Sequence, residues 1–319
     1  MSRVAAIDCG TNSIRLLVAE AATGADGAPV LRDVHREMRI VRLGQGVDAS
    51  GVLAPEALER TRLALADYTA VLRGHGVERV RMVATSATRD AANRDDFFGM
   101  VRATLGSDAE VISGDEEAQL SFVGAVGDLD PADGPFVVVD IGGGSTELVV
   151  GELTPAGAVV TAAHSVDVGS VRLTERCLPS DPPGADEVRE ARAVAAGILA
   201  GAFAAVPVAG VRTWVGVAGT ITTLSAVAQD LPAYDPSAVH LSRLPGPELH
   251  RVAEQLLGES RAERARHGAL HPGRIDVIGG GALIVDELAR ELRERAGVTE
   301  LVVSEHDILD GIARSVALP

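Results

Sequence analysis

Short apolar runs, each closed by a cluster of small and polar residues, recur along the chain. Residues 6–20 read AIDCGTNSIRLLVAE. An apolar run, an Asp, a Gly-rich turn and a second apolar run form the pattern of a β-hairpin. Residues 138–152 read VVDIGGGSTELVVGE and align with the first segment without a gap, at an offset of 132. The alignment sets Asp8 on Asp140, Gly10 on Gly142, Ser13 on Ser145, Leu16 on Leu148, Val18 on Val150 and Glu20 on Glu152. An internal repeat of this kind predicts a duplicated architecture.

A second pattern follows each hairpin. RVRMVATSATRDAANRDDF (79–97) and RTWVGVAGTITTLSAVAQD (212–230) each read as a buried strand, a small-residue turn and a helix. RIDVIGGGALIVDELAREL (274–292) is expected to repeat it once more. In AEVISGDEEAQLSFVGAV (109–126), Glu110–Ser113 is expected to be a strand, Gly114 a turn, and Asp115-Glu116-Glu117 the opening of a helix. Acidic residues there also suit the helix dipole, with no chemistry implied. Strands alternating with helices predict an α/β fold with sheets covered by helices. Two similar halves predict two domains across a cleft, residues 1–125 and 126–302, with a C-terminal helix of about 303–319 packing back on the first. A single doubly wound sheet with coincidental glycine turns is the alternative.

Composition narrows the chemistry. At 319 residues, 46% hydrophobic and 23% charged, the chain has the balance of a folded globular protein. Cys9 and Cys177 lie far apart without metal-ligand spacing, as reduced thiols in a cytoplasmic protein would. A glycine motif within ten residues of Met1 argues against a signal peptide. Ala193–Val211 carries no charge, but it is rich in Ala and Gly and interrupted by Pro207, so no membrane span is expected. The formal charge is −16, and all 29 basic side chains are Arg. Absence of Lys excludes a P-loop and Schiff-base chemistry. The acidic balance argues against a nucleic-acid partner. A polyanion could still bind at a confined site built from backbone N–H groups, a few Arg and metal ions.

The two hairpin turns are the candidates for such a site. Glycine in Gly10-Thr11-Asn12-Ser13 and Gly142-Gly143-Gly144-Ser145-Thr146 would permit positive φ and close approach of backbone to phosphate oxygens, with hydroxyls as further donors. Asp8 and Asp140 start these turns, where a carboxylate could hold Mg²⁺ or its water shell. Arg89 follows the apolar run MVATSAT and could clamp a phosphate, or pair with Asp90 or Asp95 at a helix start. The eight His residues show no ligand cluster in the sequence.

AIDCGTNSIRLLVAE, TSATRDAAN, VISGDEEAQL, VVDIGGGSTELVV and VGVAGTITTLSA, in that order, resemble the exopolyphosphatase and guanosine-pentaphosphate phosphohydrolase family, and RIDVIGGGALIV and VSEHDILDGIA extend the resemblance. It implies two actin-like (RNase H-like) ATPase domains with a duplicated phosphate hairpin and an interdomain cleft. It makes Glu117 the base that activates water and Arg89 the phosphoryl clamp. Asp8 through Ser13 and Asp140 through Thr146 become the phosphate loops, with Asp140 and Glu147 as contacts to Mg²⁺ or Mn²⁺. Gly216, Ala218, Gly219 and Thr220 match the segment that faces the nucleotide in related kinases.

The resemblance further implies inorganic polyphosphate as substrate, guanosine tetra- or pentaphosphate as an alternative ligand, and a homodimer. Longer family members carry a further helical domain that this sequence does not show. Leu309-Asp310-Gly311 stands where the family pattern often reads Leu-Arg-x-Gly, which weakens a guanosine-phosphate site. Without a positive track, short polyphosphate is the expected substrate. Arg36, Arg39 and Arg42, and Arg261, Arg264 and Arg266, are the local groups that could guide further phosphates. An ATP-dependent kinase on the same fold and a non-catalytic phosphate-binding protein are the competing functions.

Overall fold

The computed structural model describes residues 2–24, 29–155 and 157–317. They form two compact units, Met1–Leu120 with Ile308–Pro319, and Ser121–Asp307. The division falls inside the helix Gly114–Ala125.

The first unit is built on strands β1 (Ser2–Cys9), β2 (Ser13–Thr23), β3 (Pro29–Ile40), β4 (Arg79–Ala84) and β5 (Glu110–Val111), in the order β3-β2-β1-β4-β5. β1, β2 and β3 pair antiparallel, whereas β4 and β5 continue the sheet in parallel with β1. The predicted strand 110–113 is two residues long, and Gly114 is the first helical residue. Alternation along β1 explains its unbroken apolar run. Ala5, Ile7 and Cys9 enter one core with Ile14, Leu16 and Val18 of β2, while Val4 and Ala6 enter another with Leu17, Ala19 and Ala21. The helix Pro55–Gly74 seats Leu65, Tyr68 and Leu72 in the first core. The C-terminal helix Ile308–Ala317 puts Ile308, Leu309, Ile312 and Ala313 in the second.

The second unit repeats this scheme with β6 (Phe136–Ile141), β7 (Thr146–Thr154), β8 (Gly157–Val166), β9 (Thr213–Val217), β10 (Arg243–Pro245) and β11 (Glu300–Val303). Its order is β10-β11-β9-β6-β7-β8. Here β6, β7 and β8 form the antiparallel meander, and β9 and β11 the parallel continuation. The duplication therefore holds at the level of sheet topology, which excludes the single doubly wound sheet.

Two expectations need correction. Residues 275–277 are not a strand: Pro272–Arg274 is a 3₁₀ turn that leads into the helix Ile278–Ala296. β9 already pairs with β6 on one edge and β11 on the other, so the sheet offers this segment no ladder beside it. The glycines of its GGG run serve close helix packing instead. A Cβ on Gly280 would stand 2.4 Å from Thr174 Oγ1, and one on Gly281 2.6 Å from Thr220 Cγ2. The uncharged run 193–211 falls largely within the helix Ala185–Ala205, which buries Ala191, Ala195, Leu199 and Ala202 along one stripe. Among the described residues, no helix is long and apolar enough to cross a membrane.

Candidate active site

Both hairpin turns close in the same way. Gly10 N–H donates to Ser13 O at 2.9 Å, and Gly142 N–H to Ser145 O at 3.0 Å. Their carbonyls are held from outside. Thr11 O accepts from Gly44 N–H, and Asn12 O from Val41 and Arg42 N–H. Gly142 O accepts from Ser170 N–H, and Gly143 O from Val171 and Arg172 N–H. A glycine backs each loop at the equivalent place. A Cβ on Gly44 would lie 2.4 Å from Thr11 Cγ2, and one on Gly169 2.5 Å from the Gly143 carbonyl.

Gly10 and Gly142–Gly144 do not use positive φ, contrary to the expectation from the sequence. Gly44 and Gly169, behind the loops, are packed more tightly than Gly10 and Gly142 within them. Thr146 is a prop for its loop, its hydroxyl donating to Val168 O at 2.6 Å.

In the first unit, the loop that begins at Asp8, Arg89 and Glu117 lie at the carboxyl ends of neighbouring strands. Asp8 lies beside Val83 in the β1–β4 ladder, and Thr85 N–H donates to Cys9 O. Arg89, in the short helix Ser86–Asp90, turns back across the sheet end. Its Nη1 donates to Ile112 O at 3.1 Å and to Glu117 Oε2 at 2.7 Å. Arg89 is thus paired with Glu117, and not with Asp90 or Asp95. Glu117 is buried, whereas Glu116 is exposed and accepts from Arg81 at 2.7 Å. The two adjacent acids are told apart by which helix face each occupies.

The acids that begin the two loops differ in their partners. Asp8 faces Arg15 directly across the β1–β2 ladder, and Arg15 Nε and Nη2 donate to its Oδ2 at 2.9 and 2.7 Å. Asp140 faces Glu147 across the β6–β7 ladder. Arg15 and Glu147 are equivalent positions of the repeat, so one hairpin carries a neutralised carboxylate and the other a pair of buried acids. Like charges directly opposite in a ladder are destabilising. Neutral hydroxyls steady this pair, Ser121 Oγ donating to Asp140 Oδ2 at 2.5 Å and Ser165 Oγ to Glu147 Oε1 at 2.7 Å. Two buried acids with hard oxygen donors fit Mg²⁺ or Mn²⁺. Asp8, already salted by Arg15, fits less well.

Asp140 also neighbours Val217 in the parallel β6–β9 ladder, so the helix Ala218–Ala228 begins at the same sheet end, with no intervening turn. Ala218 sits there at φ 68, a left-handed conformation uncommon for a residue with a Cβ. The faces of Gly219 and Thr220 are covered by the chain itself. The Arg274 guanidinium lies 2.0 Å from where a Gly219 Cβ would stand and donates to Gly219 O at 2.9 Å, while Thr220 packs on Gly281.

Sequence reasoning missed Arg15, Ser121, Ser165, Gly44 and Gly169. The repeat itself offered a signal for Arg15, since it sets Arg15 against Glu147; the others come from segments distant in sequence. It also missed that His residues do cluster. Asp128, His240 and His306 lie with ligand atoms within 4.8 Å of one another. Glu305 N–H donates to His240 Nδ1 at 3.2 Å, which leaves the ring proton on Nε2, towards Asp128. That polarity describes a hydrogen-bonded network, not a metal centre. In the second group, His250, Glu254 and Asp286, Arg192 pairs with both acids. Arg264, expected as a phosphate guide, is buried and donates to the carbonyls of Leu256, Leu257 and Ile275. Arg36 and Arg39 are engaged by Asp310 and Asp33, and by Glu37 and Asp67.

Residues 17–316 match the model of the Ppx/GppA phosphatase family. The chain is 61% identical to Exopolyphosphatase 2 of Mycobacterium tuberculosis, over 99% of either chain. A crystal structure of an exopolyphosphatase-like protein superposes with a TM-score of 0.93 at 42% identity, covering 98% of this chain and 97% of that one. The Ppx/GppA enzyme of Aquifex aeolicus gives a TM-score of 0.79 at 32% identity, covering 98% and 99%. With its duplicated α/β units of the actin-like ATPase fold, the chain belongs to the Ppx/GppA phosphatase family.

Proposed function

We propose that the protein is a cytoplasmic exopolyphosphatase that hydrolyses terminal phosphates of inorganic polyphosphate, with Mg²⁺ or Mn²⁺ as cofactor. The observation that carries this reading is the Arg89–Glu117 pair, 2.7 Å apart and set at the strand ends beside the loop Asp8–Ser13. In this reading the Arg89 guanidinium serves the phosphate and the Glu117 carboxylate the water. The identity to Exopolyphosphatase 2 across the whole chain supports the choice of polyphosphate.

In the reaction, Glu117 accepts a proton from water as its oxygen attacks the terminal phosphorus, and the bridging P–O bond breaks. Backbone N–H groups and hydroxyls of the loops donate to the phosphate oxygens, and Arg89 exchanges its bond to Glu117 for one to phosphate. Asp140 and Glu147 would hold the divalent cation, which when bound offsets charge on the phosphates. No covalent intermediate is needed, and positioning with electrostatic stabilisation supplies the rate.

Short chains are the preferred substrates in this reading, because Arg264 is buried and Arg36 and Arg39 are taken by acids. With a net charge of −16, distal phosphates gain little from the surface beyond about a Debye length, ~8 Å. The test is phosphate release with Mg²⁺ from tripolyphosphate, long-chain polyphosphate and guanosine pentaphosphate, side by side with Glu117→Gln. The expected order of kcat/KM is tripolyphosphate first. Faster turnover of guanosine pentaphosphate would move the assignment to alarmone hydrolysis, and processive use of long chains would remove the short-chain preference.

A further inference from the structure

We propose that Ser121 is a positioning residue for the divalent cation, acting through Asp140; the inference rests on the assignment of Asp140 and Glu147 as cation-holding acids. Ser121 is fully buried on the helix Gly114–Ala125, and its hydroxyl donates to Asp140 Oδ2 at 2.5 Å. A helical Ser commonly turns its hydroxyl back to the carbonyl four residues earlier. This one reaches instead to a carboxylate at the end of β6, and a hydroxyl has a single proton to give. The short O–H···O⁻ bond is of the charge-assisted kind, which fixes an acceptor in direction as well as distance.

The two hairpins orient their acids with different donors. Asp8 is held by a guanidinium, which orients it and cancels its charge. Asp140 accepts from the Ser121 hydroxyl, a donor that orients the carboxylate without adding a charge of its own. Ser165 treats Glu147 in the same way, at 2.7 Å. Hydroxyl donors thus aim both buried acids. Outer partners of metal-holding carboxylates typically contribute about 10–100-fold to affinity.

Ser121 also lies four residues after Glu117, so both side chains leave the same face of one helix a turn apart. The segment that carries the base therefore also carries the donor that sets Asp140.

The test is direct cation binding, read from the loss of free Mn²⁺ signal in electron paramagnetic resonance, without substrate. Ser121→Ala is expected to weaken Mn²⁺ binding by about tenfold or more. In assays, the Mg²⁺ concentration giving half-maximal rate should rise by more than kcat falls. Ser121→Thr, which retains the hydroxyl, should recover part of the affinity. Ser165→Ala is an independent second variant with the same expected direction. Unchanged Mn²⁺ affinity in Ser121→Ala overturns the proposal, as does a loss of kcat at unchanged cation affinity. Asp140→Asn separates the two levels. If it binds Mn²⁺ as the wild type does, the cation assignment itself fails; if it loses binding while Ser121→Ala does not, only the role of Ser121 falls.

Discussion

Asp140 and Glu147 stand opposite each other across the β6–β7 ladder, at the place where Asp8 meets Arg15 in the other hairpin. A buried acid pair is a repulsion that the metal-free protein must tolerate and that a divalent cation relieves. Glu147→Gln should therefore raise the thermal stability of the chelator-treated protein while abolishing the extra stability gained on adding Mg²⁺. Thermal melts with and without the ion check both signs, and a variant that still gains stability from Mg²⁺ would place the cation elsewhere.

Arg15 has the opposite expectation. Arg15→Ala leaves Asp8 buried without its guanidinium, and breaking one side of a buried pair costs about 3 kcal/mol. Denaturant unfolding measures this directly. Arg15→Ala with Asp8→Asn should recover most of the loss, because the uncompensated charge is then gone.

Glu117 is distinguished from its neighbour Glu116 by burial. Glu117→Gln should retain polyphosphate binding and lower turnover by about 10²–10⁴-fold. Glu116→Gln, which only releases an exposed bond to Arg81, should change turnover little. Equal losses in the two variants would remove Glu117 from its role.

Arg89 contacts Glu117 in the free protein and is assigned to phosphate in the complex. Arg89→Ala should raise KM and lower kcat together, since it removes both the phosphate contact and the partner that holds the base. Arg89→Lys should restore activity only in part, because a point-charge ammonium cannot reproduce a guanidinium's bidentate fork on phosphate. Steady-state kinetics of the two variants decide this, and wild-type parameters in Arg89→Ala would return the residue to a structural role.

Neither thiol should react in the folded protein. Burial pushes the Cys9 thiol far above its ordinary value, with the Asp8 carboxylate adding to the effect, and burial also raises Cys177. The thiolate is the reactive form, so alkylation at pH 8 should wait for unfolding. Mass spectrometry of native and denatured samples after iodoacetamide treatment measures the difference.

Much of the fold could be read from the chain, because two strong local patterns carry it. The hairpins 6–20 and 138–152 repeat both their alternation and their turn chemistry, and the second sheet repeats the order of the first with β10 added at one edge. What escaped was tertiary. Nothing local marks Ile275–Val277 as a turn, since its apolar pattern suits a strand until β11 occupies the edge of β9. Ser121 looks like any small helical residue until β6 brings Asp140 to it. The loop glycines misled in a different way, because their number suggested left-handed turns, whereas the steric demand lies at Gly44 and Gly169. Charge runs misled too. Arg264 reads as part of a basic stripe, yet its guanidinium is buried among backbone carbonyls.

The last helix, Ile308–Ala317, completes the core beneath β1, β2 and β4, and Arg36 of β3 fastens it through Asp310. The first unit therefore needs residues from before 121 and after 307, whereas the second is one continuous segment. On the ribosome, the order of synthesis and the order of completion must then differ. Ser121–Asp307 can reach its native packing while the N-terminal sheet still lacks one face, with Val4, Ala6, Leu17 and Ala19 awaiting their cover. The N-terminal half, though made first, is finished last, and a nascent chain stalled before residue 308 would present an apolar sheet face to chaperones.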